Sequence, residues 1–186
     1  MMPGESARAR LVSILQHAHA GELAAGHAYR GHAASVSDPE EKAQIRKIED
    51  EEWVHRRQVG EMLAALGAEP DPARERKLLI IGSTIAVLCR IGGWYIPMYG
   101  AGRLESKNVK EYEDAADFAV ESGHPEFVEC LLEMAGVEWD HEAYFRSKVE
   151  SHWLRRVIRV WPPVPPREAI RRAFAARHTQ SRRAAG

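Results

Sequence analysis

The chain has 186 residues and a formal net charge of −1, with 45% hydrophobic and 28% charged residues, a composition that excludes wholesale disorder. Two cysteines, Cys89 and Cys130, exclude a disulfide scaffold or a Cys-rich zinc module and fit a reducing compartment. A chain of this length buries about 70% of its unfolded surface and needs no crosslink merely to fold.

No stretch sustains period-two alternation, so helices are expected throughout. Near the start, Arg8 and Arg10 precede only residues 11–15 as an apolar stretch. That is too short for a secretion signal, so a cytoplasmic place is expected. A first helix carries Leu11, Ile14, Leu15 and Leu23 and ends near Ala34. A second starts with Ser37 or Asp38 as N-cap and Pro39 at its first position, and runs to about Gly67. A third is predicted over residues 73–97, a fourth over 102–121 and a fifth over 125–160. Four long helices with short joints, plus one apolar helix between the halves, predict an all-α antiparallel four-helix bundle over residues 1–160.

Residues 161–166, Trp-Pro-Pro-Val-Pro-Pro, cannot continue a helix and set off a tail over residues 161–186. A short tail helix is predicted over residues 167–177 and disorder from Thr179 onward. Residues 145–186 carry a net charge of +9, leaving −10 on residues 1–144. Such a tail suits a phospholipid surface or nucleic acid, or is simply a solvated helix end.

The chemistry lies in two E-x-x-H pairs, Glu52-Trp-Val-His55 and Glu138-Trp-Asp-His141. At i, i+3 on a helix, carboxylate and imidazole share a face and reach one metal ion. Chance supplies about one such pair in this composition; a third match, Glu121-Ser-Gly-His124, falls across a Gly-Pro joint and is rejected. The two survivors have partners. Glu22 precedes Glu52 by 30 residues across a turn near residue 37, so an antiparallel hairpin sets the two level. Glu105 precedes Glu138 by 33 residues across a turn near residue 123.

Each half also has a tyrosine seven residues after its single Glu, Tyr29 and Tyr112, on that Glu's own face. Glu, Tyr, then Glu-Trp-x-His is an internal duplication. Tyr29 and Tyr112 are candidate catalytic residues, with helix packing as the alternative. The expected ligands are Glu22, Glu52, His55, Glu105, Glu138 and His141; Glu111 rivals Glu105 in height, and Glu113 and Asp114 are fallbacks. His17, His27 and His32 lack a partner at defined spacing and are not expected to be ligands. Trp53 and Trp139 are read as wedges between helices, and both cysteines as buried thiols. Four carboxylates balance two divalent ions, and iron, which can cycle and activate O2, suits them best, with manganese an alternative.

These residues resemble the demethoxyubiquinone hydroxylase (Coq7-type) family of ferritin-like di-iron proteins. The resemblance rests on His19-Ala-Gly-Glu22 with Ala25, Tyr29 and Gly31, on Glu52-x-x-His55, on Leu104-Glu105 with Tyr112, and on Glu138-x-x-His141, over about residues 10–150. It implies two irons held by the six ligands, with Glu52 and Glu138 bridging. It also implies O2-dependent hydroxylation of a polyprenyl benzoquinone, with electrons from NADH or a reductase. No Gly-rich dinucleotide loop is present, so the donor is expected to be external. The chain departs from the family pattern at Glu111, where His is usual, at His32, where Gln is usual, and in its basic tail.

Residues 78–98 hold one formal charge, Arg90. Their length allows a membrane span, but Arg90 and the Gly92-Gly93 pair make a buried or membrane-dipping helix the expectation. Peripheral binding to the inner membrane would suit collection of a hydrophobic substrate, and a homo-oligomer would use the same apolar face. The competing functions are an iron-oxidising or peroxide-reducing ferritin-like protein, and a non-enzymatic module binding membrane or RNA; nucleic acid is the least expected partner.

Overall fold

Aspartates start two of the helices. The Asp38 carboxylate accepts from the backbone N–H groups of Glu40 and Glu41, both at 2.9 Å, and Pro39 follows it. Asp71 does the same for Ala73 and Arg74 ahead of Pro72. Each cap satisfies donors that a helix start leaves open. The computed structural model describes residues 3–184, with side chains over residues 6–179. It contains α1 (Pro3–Ser35), α2 (Pro39–Ala65), α3 (Pro72–Leu88), α4 (Tyr95–Glu121), α5 (Val128–Ser151) and α6 (Arg167–Ala184). Short 3₁₀ turns cover Pro125–Phe127 and Trp153–Arg156, and no strand occurs among the described residues.

The protein is an all-helical bundle. Helices α1 and α2 pair as one hairpin and α4 and α5 as another, α1 also meets α4, and α3 lies along α1. One apolar core, around Leu11, Leu63, Ala115 and Leu131, fills the end nearest the α2–α3 joint. A second, around Tyr29, Ile45, Met98 and Phe145, fills the other end. Between them lies a layer of buried polar residues.

Several predicted boundaries are corrected. The third helix stops at Leu88 instead of residue 97, because the chain turns over residues 89–93. Gly93 takes φ +68°, a left-handed conformation that side chains disfavour. The fourth begins at Tyr95 instead of residue 102, with Pro97 in its first turn, where no N–H is needed. The fifth stops at Ser151 instead of residue 160. His152 is extended, and its ring stacks on Trp94 at 5.3 Å and lies 4.9 Å from Tyr95, so it turns the chain away.

The tail also differs from expectation. Helix α6 runs on to Ala184, past residue 177, into the stretch read as disordered; residues 185–186 lie outside the described residues. Trp161 is buried on Gly102, where a Cβ would strike its ring. Its indole N–H donates to Glu142 at 2.7 Å, and the Arg146 guanidinium, over the same ring, donates to Glu142 at 2.6 Å. Arg171 pairs with Glu129 and Glu133, Arg167 with Asp140, and Arg177 and His178 with Asp117. Arg167, Arg171, Arg177 and His178 of α6 thus find anions on the acidic body. Cys89 is buried as expected, whereas Cys130 is only half-buried.

Among the described residues, no helix is long and apolar enough to cross a membrane.

Candidate metal centre

Six ionisable side chains meet between the two apolar cores. Glu22 enters from α1, Glu52 and His55 from α2, Glu105 from α4, and Glu138 and His141 from α5; all six are buried. Helical spacing explains the pairs: three residues apart, Glu52 and His55 face one way, as do Glu138 and His141.

The donor atoms form two groups. Glu22, Glu52, His55 and Glu138 each present an oxygen or nitrogen within 4.8 Å of the others. Glu52, Glu105, Glu138 and His141 do the same. Glu52 and Glu138 are common to both, whereas His55 belongs to the first and His141 to the second, with ring centres 6.4 Å apart. Glu111, the rival of Glu105, belongs to neither group; it lines a cavity beside them. His17, His27 and His32 also lie outside both. His27 meets Trp53 edge-on, and His32 stacks on Phe145.

The chemistry of the donors fits metal ions. Glu22 Oε2, both Glu52 oxygens, Glu138 Oε1, His55 Nδ1 and His141 Nδ1 are buried with no hydrogen-bond partner. His55 Nδ1 lies 2.9 Å from Glu138 Oε1, and His141 Nδ1 lies 3.3 Å from Glu52 Oε1, without hydrogen-bond geometry. Lone pairs aimed at shared points, unsatisfied and out of water, cost free energy unless a cation fills those points. Oxygen and imidazole donors suit iron or manganese.

The electrostatics carry the same message. Burial drives the carboxyls of Glu22, Glu52 and Glu105 well above the usual carboxylate range, and neighbouring carboxylates add to it. In Glu138 burial also pushes upward, but Glu105 and His55 outweigh it and hold that carboxyl down to about 2. One anion is thus favoured in a cluster where others take up protons. Glu111 is pushed up to about 7, first by burial and then by Glu138.

The surrounding hydrogen bonds are partly unforeseen. Tyr29 donates its hydroxyl to Glu105, and Tyr112 donates to Glu22. Each tyrosine lies on the face of its own half's glutamate, as expected, but bonds that of the other half. Asn108 Nδ2 donates to Glu105 Oε2 at 2.9 Å and to Glu138 Oε2 at 3.3 Å. Its place three residues after Glu105 was the available signal. Glu51 accepts from His141 Nε2 at 3.0 Å, and this contact holds its carboxyl down to about 2. Adjacency to Glu52 gave no hint, since neighbours in a helix face different ways. His19 and Arg56 both bind Glu75, at 2.8 and 2.7 Å, joining α1, α2 and α3.

Two apolar cavities lead towards the cluster. One of about 370 Å³ lies between α1, α3 and α4 and is lined by Tyr29, His32, Leu88 and Ile96 among others. The second, about 280 Å³, reaches Glu22 and Tyr112. Ala25, Ala28, Ile85 and Leu104 line both, so the two adjoin.

Residues 9–75 match the family model described as ubiquinone biosynthesis protein COQ7. The match spans most of α1, all of α2 and the start of α3, and includes Glu22, Glu52 and His55. No curated protein and no solved structure matches the chain.

Proposed function

We propose that this protein is a ferritin-like di-iron hydroxylase that uses O2 to oxidise a hydrophobic quinone. The carrying observation is the pair of four-residue groups sharing Glu52 and Glu138. The family match supports it from the first half of the chain, and the adjoining apolar cavities suit an apolar substrate. Glu22 and His55 would serve one iron and Glu105 and His141 the other, and Glu52 and Glu138 are available to both. Bound there, reduced iron supplies O2 activation.

The chain's own groups prepare the site. Four carboxylates match two divalent cations in charge, so a buried cluster that is costly when empty becomes neutral when loaded. Tyr29 and Tyr112 hold Glu105 and Glu22 by hydroxyl donation and hence bear on the reaction through the ligands. The α1–α3–α4 cavities, lined mainly by apolar side chains, offer an apolar ring a seat near Tyr112. Glu111, which lines the second cavity with Glu22 and Tyr112, is suited to give or take a proton at near-neutral pH. Electrons come from an external donor such as NADH or a reductase.

A lipid surface is the proposed source of the substrate. Ile80, Val87, Leu88, Ile91 and Ile96, on α3, α4 and the joint between them, stand at 50–78% exposure, and Leu88 and Ile96 also line the larger of the two cavities. At the same end, Trp94 on His152 and Tyr99 on the Arg159 carbonyl hold a segment with exposed Trp153, Val157, Arg155 and Arg156. Apolar side chains with flanking arginines suit an anionic bilayer.

The deciding experiment is elemental analysis after iron-replete expression, followed by assay with a demethoxyquinone, reductant and O2. About two irons per chain and a hydroxylated product are expected. Metal without organic product, but with peroxide turnover, would replace the hydroxylase by a peroxide-reducing protein. No metal would leave a non-enzymatic helical module.

A further inference from the structure

The duplication that builds the cluster is unequal at the residue before each Glu-Trp-x-His. The halves correspond as Glu52 to Glu138, Trp53 to Trp139 and His55 to His141. The residue before each Glu differs: Glu51 in the first half, Val137 in the second. In the structure, Glu51 on α2 reaches α5, where its Oε2 accepts from His141 Nε2 at 3.0 Å. Its other oxygen lies 2.9 Å from Lys47 Nζ, so both carboxylate oxygens are engaged. His141 Nδ1 is thereby turned to the cluster, 3.3 Å from Glu52 Oε1 and 3.9 Å from Glu138 Oε2. Val137, the counterpart of Glu51, has no acceptor to offer His55. It lines with His55 and Glu51 a recess of about 250 Å³ on the α2–α5 side.

A histidine that ligates a metal through one nitrogen is oriented, and made more basic, by a carboxylate on the other. One flank of the cluster has that support from the residue preceding its partner Glu, and the other has valine. We infer that Glu51 is a positioning residue for His141, and that it makes the two metal positions unequal. The position formed by Glu52, Glu105, Glu138 and His141 fills first and holds tighter than that formed by Glu22, Glu52, His55 and Glu138. This rests on the di-iron reading above and adds to it an order of filling. A protein with unequal positions passes through a one-metal state during loading, and Glu51 decides which position is occupied in it.

The test uses the full chain, stripped with chelator and titrated anaerobically with Fe(II) against a competing chromophoric chelator. Wild type should show two steps of different affinity. Glu51→Gln, which keeps the shape and loses the charge, should weaken the tighter step by about 10–100-fold and leave the weaker one in place. Val137→Glu, built into the recess beside His55, should strengthen the weaker step. Samples loaded with one equivalent of ⁵⁷Fe should give one dominant Mössbauer doublet in wild type and a mixture in Glu51→Gln. Unfolding of the metal-free proteins monitors the fold, and Val137→Glu carries the test if Glu51→Gln does not fold. Two unaltered steps in Glu51→Gln, or equal weakening of both, would overturn the inference while leaving the di-iron reading intact. Wild type that takes up no Fe(II) would overturn the di-iron reading itself.

Discussion

Tyr112 on α4 donates its hydroxyl to Glu22 on α1, joining the tyrosine of one half to the first carboxylate of the other. The reciprocal bond, Tyr29 to Glu105, makes the exchange symmetrical. Neither hairpin completes its own half of the cluster. The bundle must therefore close before the carboxylates are held, and the centre is a property of the assembled tertiary structure.

The tyrosines should matter to stability as well as to chemistry. Glu22 Oε2 has no hydrogen-bond partner, so in Tyr112→Phe neither Glu22 oxygen keeps its donor. A buried acceptor left unsatisfied costs about 1–3 kcal/mol. Tyr29→Phe should cost less, since Asn108 still donates to Glu105. Urea denaturation of the metal-free proteins measures both; equal midpoints for wild type and Tyr112→Phe would deny the bond a stabilising role.

Metal uptake should release protons. Burial holds Glu22, Glu52 and Glu105 protonated well above the usual range, and cations require them ionised. Their folded pKa values exceed the unfolded ones. Their contribution to metal-free stability is thus complete below about pH 4.5 and declines as pH rises through the folded values. The stabilisation gained on adding metal should accordingly grow with pH. Calorimetric titration in buffers of different ionisation enthalpy counts the protons, and a count of zero would contradict ionisation on binding.

His32 supplies the opposite pH dependence and can be separated by mutation. Its ring is 2% exposed, and burial lowers its pKa to about 4. Above about pH 6.5 both states are neutral; below it the unfolded chain takes the proton first, so stability falls until about pH 4. The loss is on the order of 3 kcal/mol. His32→Leu should flatten that limb relative to wild type, read from denaturation at pH 7.5 and 5; parallel curves would show that His32 does not titrate differently in the two states.

Two glycines set how closely α3 approaches α1. A Cβ at Gly82 would collide with the backbone of Ala24, and one at Gly31 with that of Ala86. Gly82→Ala and Gly31→Ala should each cost about 1–3 kcal/mol by overpacking, despite alanine's better helix propensity. Because Ile85 and Leu104 line both cavities, displacing α3 should also raise KM for an apolar substrate more than it alters metal content. Unchanged melting temperatures would show that the helices can part without cost.

Lipid binding should follow the exposed side chains of α3 and the α3–α4 joint. Replacing Ile80, Val87, Ile91 and Ile96 with serine should reduce sedimentation with anionic phospholipid vesicles by about tenfold or more, since each buried apolar side chain contributes roughly 1.5–3 kcal/mol. Metal stoichiometry should stay the same. Unimpaired sedimentation of the fourfold variant would remove the lipid surface, and a loss of self-association instead would assign the face to a second copy of the chain.

Much of this was legible in the chain itself, because helices turn spacing into direction. The i, i+3 pairs and the 30- and 33-residue intervals across two turns were enough to bring Glu22, Glu52, His55, Glu105, Glu138 and His141 to one level. Capping chemistry located the starts of α2 and α3. Spacing along a helix says nothing about which neighbour a side chain meets. The crossing of Tyr29 and Tyr112 between halves and the reach of Glu51 to His141 depend on how the hairpins pack. The end of α5 at Ser151 depends on rings stacked across helices, and the seating of Trp161 on a gap left by Gly102. Local periodicity carries the first kind of information; contacts between residues up to 90 positions apart, which only packing brings together, carry the second.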